Sequence, residues 1–172
     1  MQRILGIRED GIFGNDTLRA AFDEMATNDT LVGINAGTKV STVCSFWDDS
    51  EFFDREEFRC QCGGKYCNGF PKEPEEELVR VCNEIRRRLG VPVEIVTAGG
   101  SGVRCSLHNA AVGGVSNSNH LYGKAADLHS EKSPQEMARV AEDVMGDTGE
   151  IGIYSWGIHV GVNCAYSRFR GK

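Results

Sequence analysis

The segment that most restricts this chain's folding is SNHLYGKAAD, residues 118–127, because its two strongest metal-ligand residues cannot cooperate in a regular helix. On a helix, His120 and Asp127 would share a face but lie about 10 Å apart along the axis, whereas a common zinc ion needs both donors at about 2 Å. A loop broken at Gly123 that runs into a strand over residues 125–128 removes the conflict, since the chain folds back on itself. Strand alternation then puts Asp127 on one face with Ala125 and His129, and turns Ala126 and Leu128 to the core. A second strand is predicted over residues 157–162, with Ile158, Val160 and Val162 facing the core. His159 faces the other way, and the missing side chains of Gly157 and Gly161 are expected to leave room for a bound group. Taken singly these signals are weak: a His on an apolar strand is more often a satisfied core residue, and a His and an Asp at this spacing are common by chance.

The remaining pattern mixes helices and strands without the regular alternation of a parallel sheet, which indicates an α+β domain. Pro74 is predicted to open a helix whose Leu78, Val81, Cys82, Ile85 and Leu89 recur at helical spacing, with Gly90 as its stop. The β-branched run 91–98 follows as a buried strand, and a further short strand is expected over 151–154. Ser133-Pro134-Gln135-Glu136 is a capping box, and Met137, Val140, Ala141 and Val144 form one apolar face behind it up to Gly146. Residues 1–30 read as a short helical unit with a turn at Asp10-Gly11, residues 31–44 as a connector, and residues 45–172 as the main domain.

Charge and cysteine content narrow the function classes. A formal net charge of -6 disfavours a nucleic-acid partner, and the one dense basic run, Arg86-Arg87-Arg88, falls at a predicted helix C-terminus, where cations favour the dipole. No stretch is apolar enough for a membrane span or a secretory signal, so the expectation is a monomer without membrane association, made in the cytoplasm. The seven cysteines cannot all pair internally, so at least one thiol or a metal–thiolate site is implied. Cys60, Cys62 and Cys67 lie in a glycine-rich knuckle, FRCQCGGKYCNG. A structural zinc completed by Cys82 or Cys105, disulfides, and buried thiols are all compatible with that spacing.

Taken together, S-x-H-x-x-G-x-A-x-D, the later His159 on a strand, Ser101-Gly102-Val103-Arg104 and the Asn-x-x-Val-Gly-Gly string of residues 109–114 resemble the zinc D-Ala-D-Ala carboxypeptidase family. The likeness covers roughly residues 45–165 and implies a hedgehog/D,D-peptidase fold, a mainly antiparallel sheet with flanking helices. It implies that His120, Asp127 and His159 bind Zn2+ with an open position for water, the arrangement of a catalytic rather than a structural zinc. It also implies that Arg104 acts in catalysis, that Arg104 and Ser118 hold the substrate, and that the substrate is a peptide of peptidoglycan. The knuckle resembles a segment of phage-endolysin-type members, and Cys105 directly follows Arg104, so the cysteines are expected to brace that arginine. Residues 1–30 are similar to a truncated peptidoglycan-binding repeat, consistent with a phage lysin, or a protein exported by another route, acting on the cell wall.

One departure from the family pattern concerns the proton-transfer group. Relatives carry an acidic residue or a histidine two or three positions before the last ligand, and often an aspartate two positions after it. Trp156, Gly157 and Gly161 stand at these places and cannot take a proton. Glu150, His108 and His129 are the candidates that remain, and a non-catalytic, zinc-stabilised wall-binding or signalling module is the alternative to an enzyme.

Overall fold

The computed structural model describes residues 45–171; the predicted N-terminal helical unit and the connector lie outside them. Two 3-10 turns, Phe46–Asp49 and Arg55–Phe58, lead into helix α1 (Glu76–Leu89) and strand β1 (Val93–Ile95). A short helix α2 (Ser106–Ala111) and a 3-10 turn (Asn119–Tyr122) precede β2 (Ala125–Ser130), helix α3 (Pro134–Met145), β3 (Glu150–Ile153), β4 (Ile158–Gly161) and β5 (Ser167–Arg170). The strand order is β1-β2-β4-β3-β5, antiparallel except for the β3–β5 pair. The domain is therefore α+β with a mainly antiparallel sheet. Among the described residues no helix is long and apolar enough to cross a membrane.

Local chemistry accounts for most element boundaries. Ser133 caps α3 by accepting a hydrogen bond from the Glu136 amide at 3.3 Å, with Pro134 at the first helical position. Helix α1 begins two residues after Pro74, with Glu75 extended as its N-cap, and the Glu75 amide donates to the Gly123 carbonyl at 2.8 Å, which ties the helix entrance to the loop before β2. Strand β1 is shorter than the predicted run 91–98: beyond Val96 the chain turns at Gly99 and Gly100 and passes under Asp127. Strand β5 was not expected from its sequence, SRFR, which has one apolar residue; it is a half-exposed edge held by its ladder to β3.

Both long helices pack on one face of the sheet. Leu78, Val81, Cys82 and Ile85 of α1 and Met137 and Ala141 of α3 meet Ala126, Leu128, Ile151, Ile158 and Val160 in one continuous core. Because strand side chains alternate, burying Ala126, Leu128, Ile158 and Val160 on the helix side forces Asp127 and His159 to the opposite face. The register sets these two directly across from each other on β2 and β4.

Candidate active site

Three donor atoms converge on that open face. His120 Nε2 lies 3.2 Å from His159 Nδ1, His159 Nδ1 lies 3.0 Å from Asp127 Oδ1, and Asp127 Oδ1 lies 3.4 Å from His120 Nε2. Donors placed tetrahedrally about zinc at its usual bond lengths stand about 3.4 Å apart, so this triangle fits the ion without rearrangement. His120 arrives from the 3-10 turn, which closes at Gly123. With φ of +71° and the Glu73 carbonyl 2.0 Å from where a Cβ would be, glycine alone fits there.

Each donor is fixed from behind. His120 Nδ1–H donates to the Gly102 carbonyl at 2.6 Å, which leaves the lone pair on Nε2. His159 Nε2–H donates to Glu150 Oε1 at 2.8 Å, and Glu150 Oε1 also accepts from Asn119 Nδ2 at 2.8 Å. The outer oxygen of Asp127, Oδ2, accepts from the Ser101 amide at 3.2 Å and from Arg104 Nη2, while Arg104 Nε donates to Ser101 Oγ at 2.9 Å. The segment 101–104 is thereby stitched to both partners: the Asp127 amide donates to the Ser101 carbonyl, and the Arg104 amide to the His120 carbonyl.

The electrostatics follow from this packing. Burial opposes the charged form of Asp127, but the imidazoles of His120 and His159 beside it outweigh that cost and hold the carboxyl well below its usual range. Burial likewise lowers His120. For His159 burial is outweighed by the carboxylates of Asp127 and Glu150 on its two sides, and the imidazole is pushed up to about 9. A cationic group is thus favoured between the two carboxylates.

The triangle lies in an open cleft of about 930 Å³, lined among others by Ser118, Asn119, Glu150, Tyr154, Trp156 and Phe169. That volume is at the upper end for a binding pocket and accommodates a peptide. Tyr154 and Trp156 stack at 4.9 Å between ring centroids, forming an aromatic wall.

Several sequence expectations change here. His129, predicted on the Asp127 face, is exposed and bonded through Nδ1 to the Trp156 carbonyl at 2.6 Å. It lies one residue past the last β2–β4 pair, Leu128 with Ile158, and is not part of the cleft lining. His108 sits on α2 and does not line the cleft either, leaving Glu150 as the one of the three candidates that does. The glycines beside His159 do not open space for a ligand: a Cβ on Gly157 would stand 2.1 Å from the Leu128 carbonyl, and one on Gly161 would stand 2.6 Å from the Glu150 side chain. Gly161 makes room for the residue that orients His159. The ties from Ser101, Gly102 and Asn119 are additional; a glutamate on the non-core face of a strand opposite a glycine is the signal that points to Glu150.

The family model described as Peptidase M15 matches residues 51–162, a span that holds the three donors, Arg104, Ser118, Glu150 and the cysteine knuckle. No curated protein matches the chain.

Proposed function

Since this chain belongs to the Peptidase M15 family, whose members are zinc-dependent, we propose that it hydrolyses a peptide bond in the stem peptides of peptidoglycan, as a D,D-carboxypeptidase or endopeptidase. The observation that carries this reading is the triangle of His120, Asp127 and His159 at the floor of a peptide-sized cleft, with every donor held by a second partner. Buried donors braced in this way characterise metal sites.

His120 Nε2, Asp127 Oδ1 and His159 Nδ1 are the atoms that would hold zinc. Zinc supplies Lewis acidity, polarising a carbonyl and lowering the pKa of water. The protein's part is orientation and proton handling. Arg104 uses Nε and Nη2 to fix Ser101 and Asp127; among the described residues Nη1 takes no hydrogen bond, and Arg104 lines the cleft. That nitrogen is suited to the substrate's carboxylate or to the oxygen of the scissile carbonyl, where charge develops. The Ser118 hydroxyl, also in the cleft and without a protein partner among the described residues, is suited to a neighbouring substrate polar group. Glu150 uses Oε1 for His159 and Asn119 and has Oε2 unengaged among the described residues, which fits it to accept and return a proton.

Incubating the zinc-replete protein with defined muropeptides and weighing the products tests this reading. Release of D-alanine, or scission within the stem, is expected, with loss of both in His120→Ala and His159→Ala. Intact muropeptides after exposure to folded, zinc-loaded protein would establish the non-catalytic module instead.

A further inference from the structure

A second group of potential ligands lies outside the cleft's triangle. Cys60, Cys62, Cys67 and Cys105 bring their Sγ atoms within 4.8 Å of one another. The Cys62 and Cys67 sulfurs are 3.5 Å apart, far beyond the disulfide bond length of about 2.05 Å. Four thiolates around zinc at about 2.3 Å stand about 3.8 Å apart, so a small contraction completes a tetrahedron. Cys82, the other residue considered for this role, lies in the main core beneath the sheet. Cys105, by contrast, faces the knuckle together with Val103 and Cys60.

The surrounding backbone is arranged for anionic sulfur. The Cys105 amide donates to Cys60 Sγ, the His108 amide to Cys105 Sγ and the Gly69 amide to Cys67 Sγ, each at 3.4 Å. The knuckle closes on itself through the Cys60 amide and the Gly69 carbonyl at 2.8 Å. Amide donors aimed at sulfur favour the thiolate, and four such ligands from one knuckle and one distant residue give a closed site with no position for water.

We propose that Cys60, Cys62, Cys67 and Cys105 bind a second, structural zinc ion that fixes the segment orienting the catalytic-site donors. Cys105 is the residue after Arg104. The four residues before it supply the Ser101 amide and Arg104 Nη2 to Asp127 Oδ2, and the Gly102 carbonyl to His120 Nδ1. The Val103 amide adds a hydrogen bond to the Phe58 carbonyl at 2.8 Å, two residues before Cys60. The tetrathiolate site therefore pins both ends of a bridge: the knuckle on one side, and through Cys105 the segment 101–104 on the other. It is a positioning site, with no group touching substrate.

The test is a metal count on the full chain, purified with zinc under reducing conditions, joined to cobalt substitution. About two zinc ions per chain are expected, falling to about one in His159→Ala and to about one in Cys62→Ser. In the cobalt-loaded protein a thiolate-to-cobalt charge-transfer band is expected, present in His159→Ala and lost in Cys62→Ser. Cys105→Ser should also weaken zinc binding at the His–Asp–His triangle by about 10–100-fold, the usual effect of losing an outer-sphere support. One zinc per wild-type chain that disappears in His159→Ala, no charge-transfer band, or, in protein isolated without reductant, a mass deficit showing disulfides among these cysteines would overturn the proposal. The wild-type and His159→Ala measurements decide it even if the cysteine variants do not fold. The inference is separate from peptidase activity: an inactive protein with the cobalt–thiolate band would retain this site and lose only the proposed function.

Discussion

Arg104 bonds Asp127 and Glu150 bonds His159, each at an atom outside the donor triangle, and their chemistry separates positioning from proton transfer. Arg104 spans Ser101 and Asp127 with two nitrogens of one planar fork, buried to 8% exposure. A lysine keeps the charge but reaches only one of these partners. Arg104→Lys is therefore expected to lower zinc affinity or turnover by about 10–100-fold, read by competition with a chromogenic chelator and by muropeptide kinetics. Unchanged values in both would show that Asp127 needs no such support. Glu150→Gln asks the complementary question. The glutamine carbonyl still accepts from His159 Nε2–H, so zinc affinity should stay within a few-fold, but an amide cannot shuttle a proton. Turnover should fall by about 10²–10⁴-fold at constant zinc content. Full turnover in that variant would confine Glu150 to orienting His159.

At the scale of elements, the β3–β4 pair builds the outer wall of the site through one glycine. Glu150 pairs with Gly161, and its side chain occupies the volume that a Cβ there would fill. Gly161→Ala should push Glu150 off His159 without disturbing the core, because Val160 and Val162 on either side still face the helices. The expected result is reduced zinc affinity with an unchanged far-ultraviolet circular dichroism spectrum. Affinity equal to that of the wild type would mean that Glu150 shifts freely and is not held by this strand pair. Elements whose signals are local could be read from sequence: α3 starts at the Ser133 cap, and His159 faces away from the core because its neighbours on β4 are apolar. What escaped the sequence depends on chain partners far away. Strand β5 exists through its ladder to β3, His129 leaves the site because β4 begins only opposite Leu128, and Glu150 becomes a partner of His159 only through the β3–β4 register. Choosing Cys105 over Cys82 needed the packing too, since Cys82 continues the apolar stripe of α1 into the core.

The described domain, residues 45–171, divides into an apolar core under the sheet and a charged layer over it, and this division fixes what metal removal does. The core of α1, α3 and the helix-facing strand residues contains none of the three donors, so it does not depend on zinc for its apolar burial. The layer above holds Asp127, His159, Glu150 and Arg104 in contact with one another. Without metal, a proton on His159, whose imidazole is pushed up to about 9, supplies the cation between the Asp127 and Glu150 carboxylates. That substitution keeps the layer neutral enough to remain assembled. Binding to the folded state alone then adds about 2.7 kcal/mol at a free zinc concentration 100-fold above Kd, and about 4.1 kcal/mol at 1,000-fold. For a domain of this size each kcal/mol moves Tm by roughly 3–5 °C, so loss of the cleft ion alone should lower Tm by about 10 °C, and chelation that also strips the cysteine site should lower it further. The far-ultraviolet spectrum at room temperature should remain native, activity should vanish, and added zinc should restore both activity and Tm. Complete unfolding at room temperature on chelation would mean that the metal sites, rather than the core beneath the sheet, hold the fold together.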